Sequence, residues 1–263
     1  MKSLRVILRT LTIILVSAFW YLLWLVGGYP FALFNQGRRR LRNFVVGGWG
    51  RSLAMIIGMR IETIGEAPKP PFFLVSNHLS YVDIIAFAAC LKCVFISRAD
   101  IADWPGLGLL ARTVGTIFIR RERTQEIPRV IGLINHALDE GQGVVLFPEG
   151  TSGAGDRVMP FHPALLEPAA KANYPVSFAS INYYTPPDEP PAYMAISWWG
   201  DLTFGEHVQE LLKLSKFDAV ITYGSHAIRS DDRKALAKSL WSAVNDQFTP
   251  MVDSALIDSK KVP

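Results

Sequence analysis

Acidic residues are missing from the first 60 positions of this 263-residue chain, which hold nine basic ones: Lys2, Arg5, Arg9, Arg38, Arg39, Arg40, Arg42, Arg51 and Arg60. Cysteine is scarce as well. Cys90 and Cys93 are the only two, too few for a disulfide framework or a four-sulfur zinc site. Charged residues make up 19% of the chain against 50% hydrophobic and 11% aromatic, and the mean hydropathy is +0.22. That balance excludes a disordered chain, and the lack of any fixed-period repeat excludes coiled coil, collagen and solenoid arrays. Neither a Gly-x-Ser-x-Gly elbow nor a His-Glu-x-x-His pair occurs, so the usual serine-hydrolase and zinc-peptidase signatures are absent.

The whole chain carries 27 basic and 23 acidic residues, so the part after residue 60 holds 18 basic against 23 acidic. A basic front on a mildly acidic body suits anionic lipid headgroups, which attract Lys and Arg by about 1 kcal/mol each near the surface. Nucleic acid would attract the same charges but needs no apolar segment beside them. Here residues 10–34 run for 25 positions without a charge. At about 1.5 Å per residue a helix of that length reaches across a hydrocarbon core of about 30 Å. Trp20, Tyr21, Trp24 and Tyr29 supply rings that favour the headgroup boundary. Gly27-Gly28-Tyr29-Pro30 limits the unbroken helix to about Val26. A second apolar stretch, residues 44–59, contains Gly47, Gly48, Gly50 and Arg51 and reads as a helix lying at the interface. A cleaved leader fits the basic start, but no small-x-small site follows before Arg38. Residues 1–60 are therefore expected to anchor the chain in a membrane, as a single span or as a re-entrant or surface-lying hairpin.

Residues 61–263 read as the body, with the boundary marked by Pro68-Lys69-Pro70-Pro71. Short apolar runs alternate there with amphipathic stretches, the pattern of an α/β layer architecture. Strands are expected at residues 72–76, 93–97, 116–120, 144–147, 176–183, 193–199 and 219–223. Helices are expected at 80–90, 106–113, 125–140 and 231–248, the last capped by Asp231. The fold class is α/β: one mixed sheet of about seven strands flanked by helices.

Three stretches place polar groups directly after a buried strand, where open α/β sheets bind ligands. In Asn77-His78-Leu79-Ser80-Tyr81-Val82-Asp83, the carboxylate lies five residues after the imidazole and can hold one ring nitrogen, leaving the other as a general base. The bland alternative is that Asn77, Ser80 and Asp83 cap a helix beside an idle histidine. In Phe147-Pro148-Glu149-Gly150-Thr151, a glutamate sits between Pro and Gly at a strand end, and Gly150 permits close backbone approach to a ligand. In Gly115-Thr116-Ile117-Phe118-Ile119-Arg120-Arg121, the arginine forks suit phosphate or carboxylate, although exposed charge is commonly only a solvated loop. Cys90-Leu91-Lys92-Cys93 has redox-type spacing but no partner cysteines. His136, His162, His207 and His226 are scattered and read as surface or packing residues, and Trp198-Trp199 as packing.

Taken together, the three stretches resemble the signatures of the phospholipid/glycerol acyltransferase family. Asn77, His78 and Asp83 match the first. Gly115, Phe118, Ile119 and Arg121 match the second, and Phe147, Pro148, Glu149, Gly150 and Thr151 the third. Two departures stand out. Ser152 follows Thr151 where the phosphate-handling version commonly has Arg, and Arg120 precedes the second signature's Arg121. The run from Thr151 to Leu166, with Trp198-Trp199-Gly200-Asp201, is similar to a bacterial subgroup that includes lyso-ornithine lipid acyltransferases.

The resemblance implies acyl transfer from acyl-CoA or acyl carrier protein to the hydroxyl of a lysophospholipid, in the first instance 1-acyl-glycerol-3-phosphate giving phosphatidic acid. A lyso-ornithine or other phosphate-free lysolipid is the alternative acceptor. A lipid transacylase or hydrolase and a non-catalytic membrane scaffold are further alternatives. His78 and Asp83 would be catalytic, with Asn77, Gly115, Arg120, Arg121, Phe147, Pro148, Glu149, Gly150 and Thr151 binding substrate. Backbone N–H groups near the start of the His-bearing helix would receive the oxyanion. No metal or other cofactor is implied. The implied partners are the bilayer, the lysolipid acceptor and the thioester donor, not nucleic acid. The implied location is the inner membrane, with the catalytic domain facing the cytoplasm.

Overall fold

The computed structural model describes residues 2–28, 35–104, 106–113, 115–120 and 125–260. Its centre is a seven-stranded sheet whose most buried members are the two strands with no polar alternation. β2 (Phe72–Ser76) and β5 (Gly143–Leu146) are buried at every position, as expected of parallel strands covered on both faces. They pair in parallel, Phe72 opposite Gly143 and Val75 opposite Leu146. β3 (Cys93–Arg98) continues on the far side of β5, and β4 (Ile117–Ile119) closes that edge. On the other side, β6 (Val176–Tyr184) runs parallel to β2. β7 (Phe217–Tyr223) then pairs antiparallel with β6, and β1 (Met59–Ile64) lies parallel to β7 at the second edge. The order is β1-β7-β6-β2-β5-β3-β4.

Crossover direction sets the layers. The chain leaves β2 through α3 (Val82–Cys90) toward β3, but returns from β4 through α5 (Glu126–Asp139) to β5, and from β5 through α6 (Glu167–Lys171) to β6. Right-handed crossovers in opposite directions place their helices on opposite faces. α3 accordingly packs with α2 (Asn35–Ile57), while α5 and α6 share the other face with α9 (Arg233–Gln247). α5 buries Val130, Ile134 and Ala137 at helical spacing. Asp232, one residue beyond the expected cap, accepts the N–H groups of Lys234 and Ala235 to start α9.

The front end folds back along the body. α1 (Lys2–Gly28) lies against α2, held by two reciprocal indole bonds: Trp20 Nε1 donates to Ser52 Oγ at 3.2 Å, and Trp49 Nε1 donates to Ser17 Oγ at 3.1 Å. A Cβ on Gly48 would stand 2.1 Å from the Trp20 ring, so only glycine allows this approach. Arg5 donates to the Lys213 carbonyl at 2.7 Å, and Arg9 donates to the carbonyls of Leu212, Leu214 and Ser215. These carbonyls end α8 (Phe204–Lys213), a terminus with unpaired acceptors and partial negative charge. At the start of α2, Arg39 donates to the Glu140 carbonyl, just after α5. Both ends of the hairpin are therefore tied to the body. The outer face of α1 exposes Leu4, Ile7, Leu8, Leu11, Ile14 and Leu15, and continues through Phe19, Leu22, Leu25 and Val26.

Two expectations differ from the structure. Residues 193–199 form no strand: α7 (Ala192–Ala195) gives way to an irregular segment whose backbone bonds the loops after β2 and β5. The seventh strand is instead β1, within a stretch read partly as membrane-associating helix. α4 (Leu107–Thr113) occurs as expected. α8, opened by a Thr203–Glu206 capping box, was not anticipated. α10 (Ser254–Lys260) completes the chain's described elements.

Candidate active site

β2 and β5 are neighbours whose outgoing chains diverge in opposite directions, and the crevice at their carboxyl ends is where α/β folds place ligands. The residues after β2 are Asn77 and His78, and those after β5 are Phe147, Pro148 and Glu149.

His78 Nδ1 lies 2.8 Å from Asp83 Oδ2. Oδ2 also accepts the N–H groups of Leu79 at 2.7 Å and Ser80 at 3.1 Å, while Oδ1 accepts the Tyr183 hydroxyl at 2.7 Å. Asp83 is fully buried, and so unable to lean on water. With Nδ1 donating to the carboxylate, Nε2 is the ring's acceptor. The His78 side chain is 19% exposed, and its ring stacks on Phe147 at 4.3 Å between centroids with an 18° interplanar angle. The ring is thus fixed on one side by a hydrogen-bonded carboxylate and on one face by an aromatic plane.

Glu149 comes from the other loop but does not face outward. Its Oε1 accepts the backbone N–H of His78 at 2.9 Å, and its Oε2 that of Met159 at 3.3 Å. Burial pushes its carboxyl up to about 8, against the smaller lowering effect of the two N–H groups. The joint is completed by Gly153 N–H, which donates to the His78 carbonyl at 2.9 Å. Gly150 turns the loop with φ +78°, a left-handed conformation that favours glycine. Ser152 donates to the Trp198 carbonyl, and Trp198 N–H donates to the Leu79 carbonyl at 2.8 Å. Asn77 braces the start of this loop against β6: its Nδ2 donates to the Ile181 carbonyl at 3.0 Å and its Oδ1 accepts Ile181 N–H at 2.8 Å.

The structure thus brings together Asn77, His78, Asp83, Phe147, Pro148, Glu149, Gly150 and Thr151. Within that set, Asn77, Pro148 and Glu149 make internal bonds that hold the loops; the Pro148 carbonyl accepts His162 N–H at 2.9 Å. Thr151 is exposed. Gly115 is not brought to this crevice. It precedes β4, at the end of the sheet opposite Arg120, and its nearest side-chain neighbour would be Arg42. Arg120 is exposed at the carboxyl end of β4, three strands from β2. Arg121 lies outside the described residues. The N–H groups of His78, Leu79 and Ser80 are all spent on Glu149 and Asp83, so these three do not serve the oxyanion role expected of the helix start.

Sequence reasoning missed Tyr183, whose partner lies 100 positions away, and the aromatic wall beside the loop. There Tyr81 meets Trp198, Phe204 and His207 edge-on, and its hydroxyl lies 3.0 Å from His207 Nδ1. Burial lowers His207 to about 4, which keeps that ring neutral. Cys93 is buried at the start of β3, where burial raises its thiol well above the ordinary value, and Cys90 is an exposed free thiol at the last position of α3. Among the described residues no three His, Cys, Asp or Glu side chains converge as metal ligands.

A family model described as Acyltransferase matches residues 59–182. A lyso-ornithine lipid O-acyltransferase of Brucella abortus is 30% identical over 249 residues, covering 87% of each chain. A 1-acyl-sn-glycerol-3-phosphate acyltransferase of Neisseria gonorrhoeae is 27% identical over 226 residues, covering 84% of this chain and 88% of its own. Among solved structures, the 1-acyl-sn-glycerophosphate acyltransferase PlsC of Thermotoga maritima superposes with a TM-score of 0.61 at 17% identity. That superposition covers 94% of this chain and 98% of the other, and it shows a common fold.

Proposed function

Because this chain belongs to the Acyltransferase family, we propose that it moves a fatty acyl group from a thioester to the hydroxyl of a lysolipid, with His78 as the base. The observation that carries this is the 2.8 Å bond between His78 Nδ1 and buried Asp83. Nε2 takes the hydroxyl proton as the oxygen attacks the thioester carbonyl. The tetrahedral adduct collapses to an ester and expels the thiolate, which recovers the proton from the imidazolium. Asp83 stabilises that imidazolium and holds the tautomer, as the carboxylate does in hydrolase triads. A thioester is already activated, so the residues present account for the proton transfers. The donor is acyl-CoA or an acyl carrier protein.

The acceptor reading turns on the loop from Glu149 to Arg157. Its acids are Glu149 and Asp156, and its single cation, Arg157, pairs with Asp156 at 3.1 Å. Position 152 holds a serine bonded inward to Trp198. With Arg157 committed to Asp156 and a serine at 152, this loop turns no unspent cation toward a phosphate, whereas an amine-bearing headgroup needs none. This favours a lyso-ornithine lipid as acceptor over 1-acyl-glycerol-3-phosphate, the substrate first expected.

The exposed stripe of α1 and the basic start of α2 support attachment to a membrane surface. α1 is long and apolar enough to cross a bilayer. The ties of α1 through Arg5 and Arg9 and of α2 through Arg39 support a hairpin lying flat in one leaflet instead, with lysolipid reaching His78 from that leaflet.

The test is full-length protein in detergent, given lyso-ornithine lipid or lysophosphatidate with acyl-CoA or acyl carrier protein, and read by mass spectrometry. Ester formation is expected to be lost in His78→Ala protein of unchanged circular dichroism. Wild-type rates in that variant would overturn the reading, and a preference for lysophosphatidate would overturn the acceptor assignment.

A further inference from the structure

Asp83 is held by four donors, and three of them belong to its own loop. The fourth is the Tyr183 hydroxyl, which arrives from the adjoining region of the sheet near the end of β6 and lies 2.7 Å from Oδ1. No other hydrogen bond reaches Oδ1 among the described residues. Tyr183 is 1% exposed, its ring meets Phe217 edge-on at 6.1 Å, and its backbone N–H donates to Met251 Sδ at 3.3 Å. It is therefore clamped from the sheet, from β7 and from the C-terminal segment.

We propose that Tyr183 is a positioning residue for acyl transfer, donating to Asp83 Oδ1 and so tuning how tightly the His78–Asp83 pair holds a proton. Burial and the neighbouring Asp83 charge raise the phenol well above its ordinary value, so the hydroxyl stays a donor throughout the working pH range. A donor on a carboxylate draws off part of its negative charge. Without it, Asp83 holds the imidazolium more strongly, and His78 becomes active as a base only at higher pH. The other titratable groups nearby are turned elsewhere. Glu149 faces the N–H groups of His78 and Met159, and Tyr81 faces His207. Asp156 pairs with Arg157.

This rests on the base role proposed for His78, and the experiment separates the two. Full-length protein in detergent is compared as wild type, as Tyr183→Phe, and with 3-fluorotyrosine at position 183, a near-isostere and stronger donor. The Phe variant is expected to lose about tenfold in kcat with KM for the lysolipid unchanged. Its acid limb of kcat/KM should move up by about one pH unit, while the fluorotyrosine protein's moves down. Proton uptake by the labelled His78 ring, followed by NMR, should shift in the same two directions whether or not acyl transfer is seen. A purely structural role would lower activity or stability without moving either pH curve. Acid limbs and ring titrations that coincide with wild type in both variants would overturn the proposal. Ring shifts together with wild-type transfer by His78→Ala protein would remove the base role and this proposal with it, while ring shifts with acid limbs that stay put would overturn this proposal alone.

Discussion

Glu149 Oε1 accepts the backbone N–H of His78 across 2.9 Å, so the loop after β5 holds the loop after β2 at the residue that bears the ring. The carboxyl is buried and raised to about 8 mainly by that burial. A group raised above its unfolded value favours the fold while protonated, and the benefit fades as pH climbs from the usual carboxyl range through 8.

Glu149→Gln should therefore remove the titration, at a pH-independent cost of about 1–3 kcal/mol because its amide N–H₂ meets one of the two backbone N–H groups. At about pH 5, where the wild-type carboxyl is still almost wholly protonated in the fold and has lost little, the variant is expected to melt below wild type. As pH rises toward 9, wild type should lose on the order of several kcal/mol relative to the variant. Glu149→Ala frees both N–H groups and should be less stable than Glu149→Gln at every pH, by about 1–3 kcal/mol for the second buried donor left unmade. Thermal melts of the three proteins from pH 5 to 9 check this, and parallel wild-type and Gln curves would refute it.

Asp83→Asn keeps the shape but places an amide N–H₂ where a donor, either the His78 ring or the Tyr183 hydroxyl, now points. Transfer rate is expected to fall about a thousandfold, within the range for a mispositioned base. Lysolipid binding should change little, because Asp83 is sealed from the crevice. Single-turnover kinetics beside equilibrium binding of lysolipid separates the two, and a weakened affinity with intact turnover would contradict it.

Much of this site was legible in the chain because its strands carry their own evidence. Phe72, Phe73, Leu74 and Val75 form an apolar run followed at once by Asn77 and His78, and the Val144–Leu146 run is followed by Phe147, Pro148 and Glu149. Runs of that kind have few alternatives to a central parallel strand. The seventh strand was harder. Met59–Ile64 carries Arg60 and Glu62 on an edge, and only its pairing with β7 defines it. Residues 193–199 look like a strand by composition, yet find no partner because Trp198 is committed to the Leu79 carbonyl. The roles inside the site were less legible still. Nothing near Glu149 in sequence says that its carboxyl turns toward His78, and Tyr183 meets Asp83 only because β6 lies beside β2. By contrast, α8 did have a local signal, the Thr203-x-x-Glu206 box, which went unread.

The hairpin has its own tight point. With a Cβ at position 48 only 2.1 Å from the Trp20 ring, Gly48→Ala must push α1 away from α2 and strain both indole bonds. The expected cost is about 1–3 kcal/mol, seen as a lower melting temperature and faster proteolysis within residues 10–34. Acyl transfer in detergent should keep its rate, since none of the hydrogen bonds that hold His78 and Glu149 in their loops touches α1. A melting temperature within one degree of wild type would mean that the two helices are not packed as described.

How α1 meets a bilayer follows from where its ends are tied. Arg5 and Arg9 tie its start to the end of α8, and its far end lies on α2, where Gly27 stands against Leu41 and Arg39 of α2 reaches the end of α5, so the helix axis lies along the body. Ten large apolar side chains from Leu4 to Val26 face outward along its whole length. Each half-exposed side chain contributes about 1 kcal/mol on entering hydrocarbon, so the stripe as a whole supplies on the order of 10 kcal/mol. A flat hairpin puts Leu4, Leu15 and Val26 at similar depth, whereas a crossing helix spreads them over roughly 30 Å. Fluorophores attached to cysteines at these three positions, in a background lacking Cys90 and Cys93, can be quenched by lipids carrying nitroxides at graded depths. Equal quenching profiles are expected, and a steady progression from Leu4 to Val26 would establish a span. Replacing Leu8 and Leu15 by serine should shift the protein toward the soluble fraction, because both remove hydrocarbon contact without touching the arginines that hold the hairpin to the body.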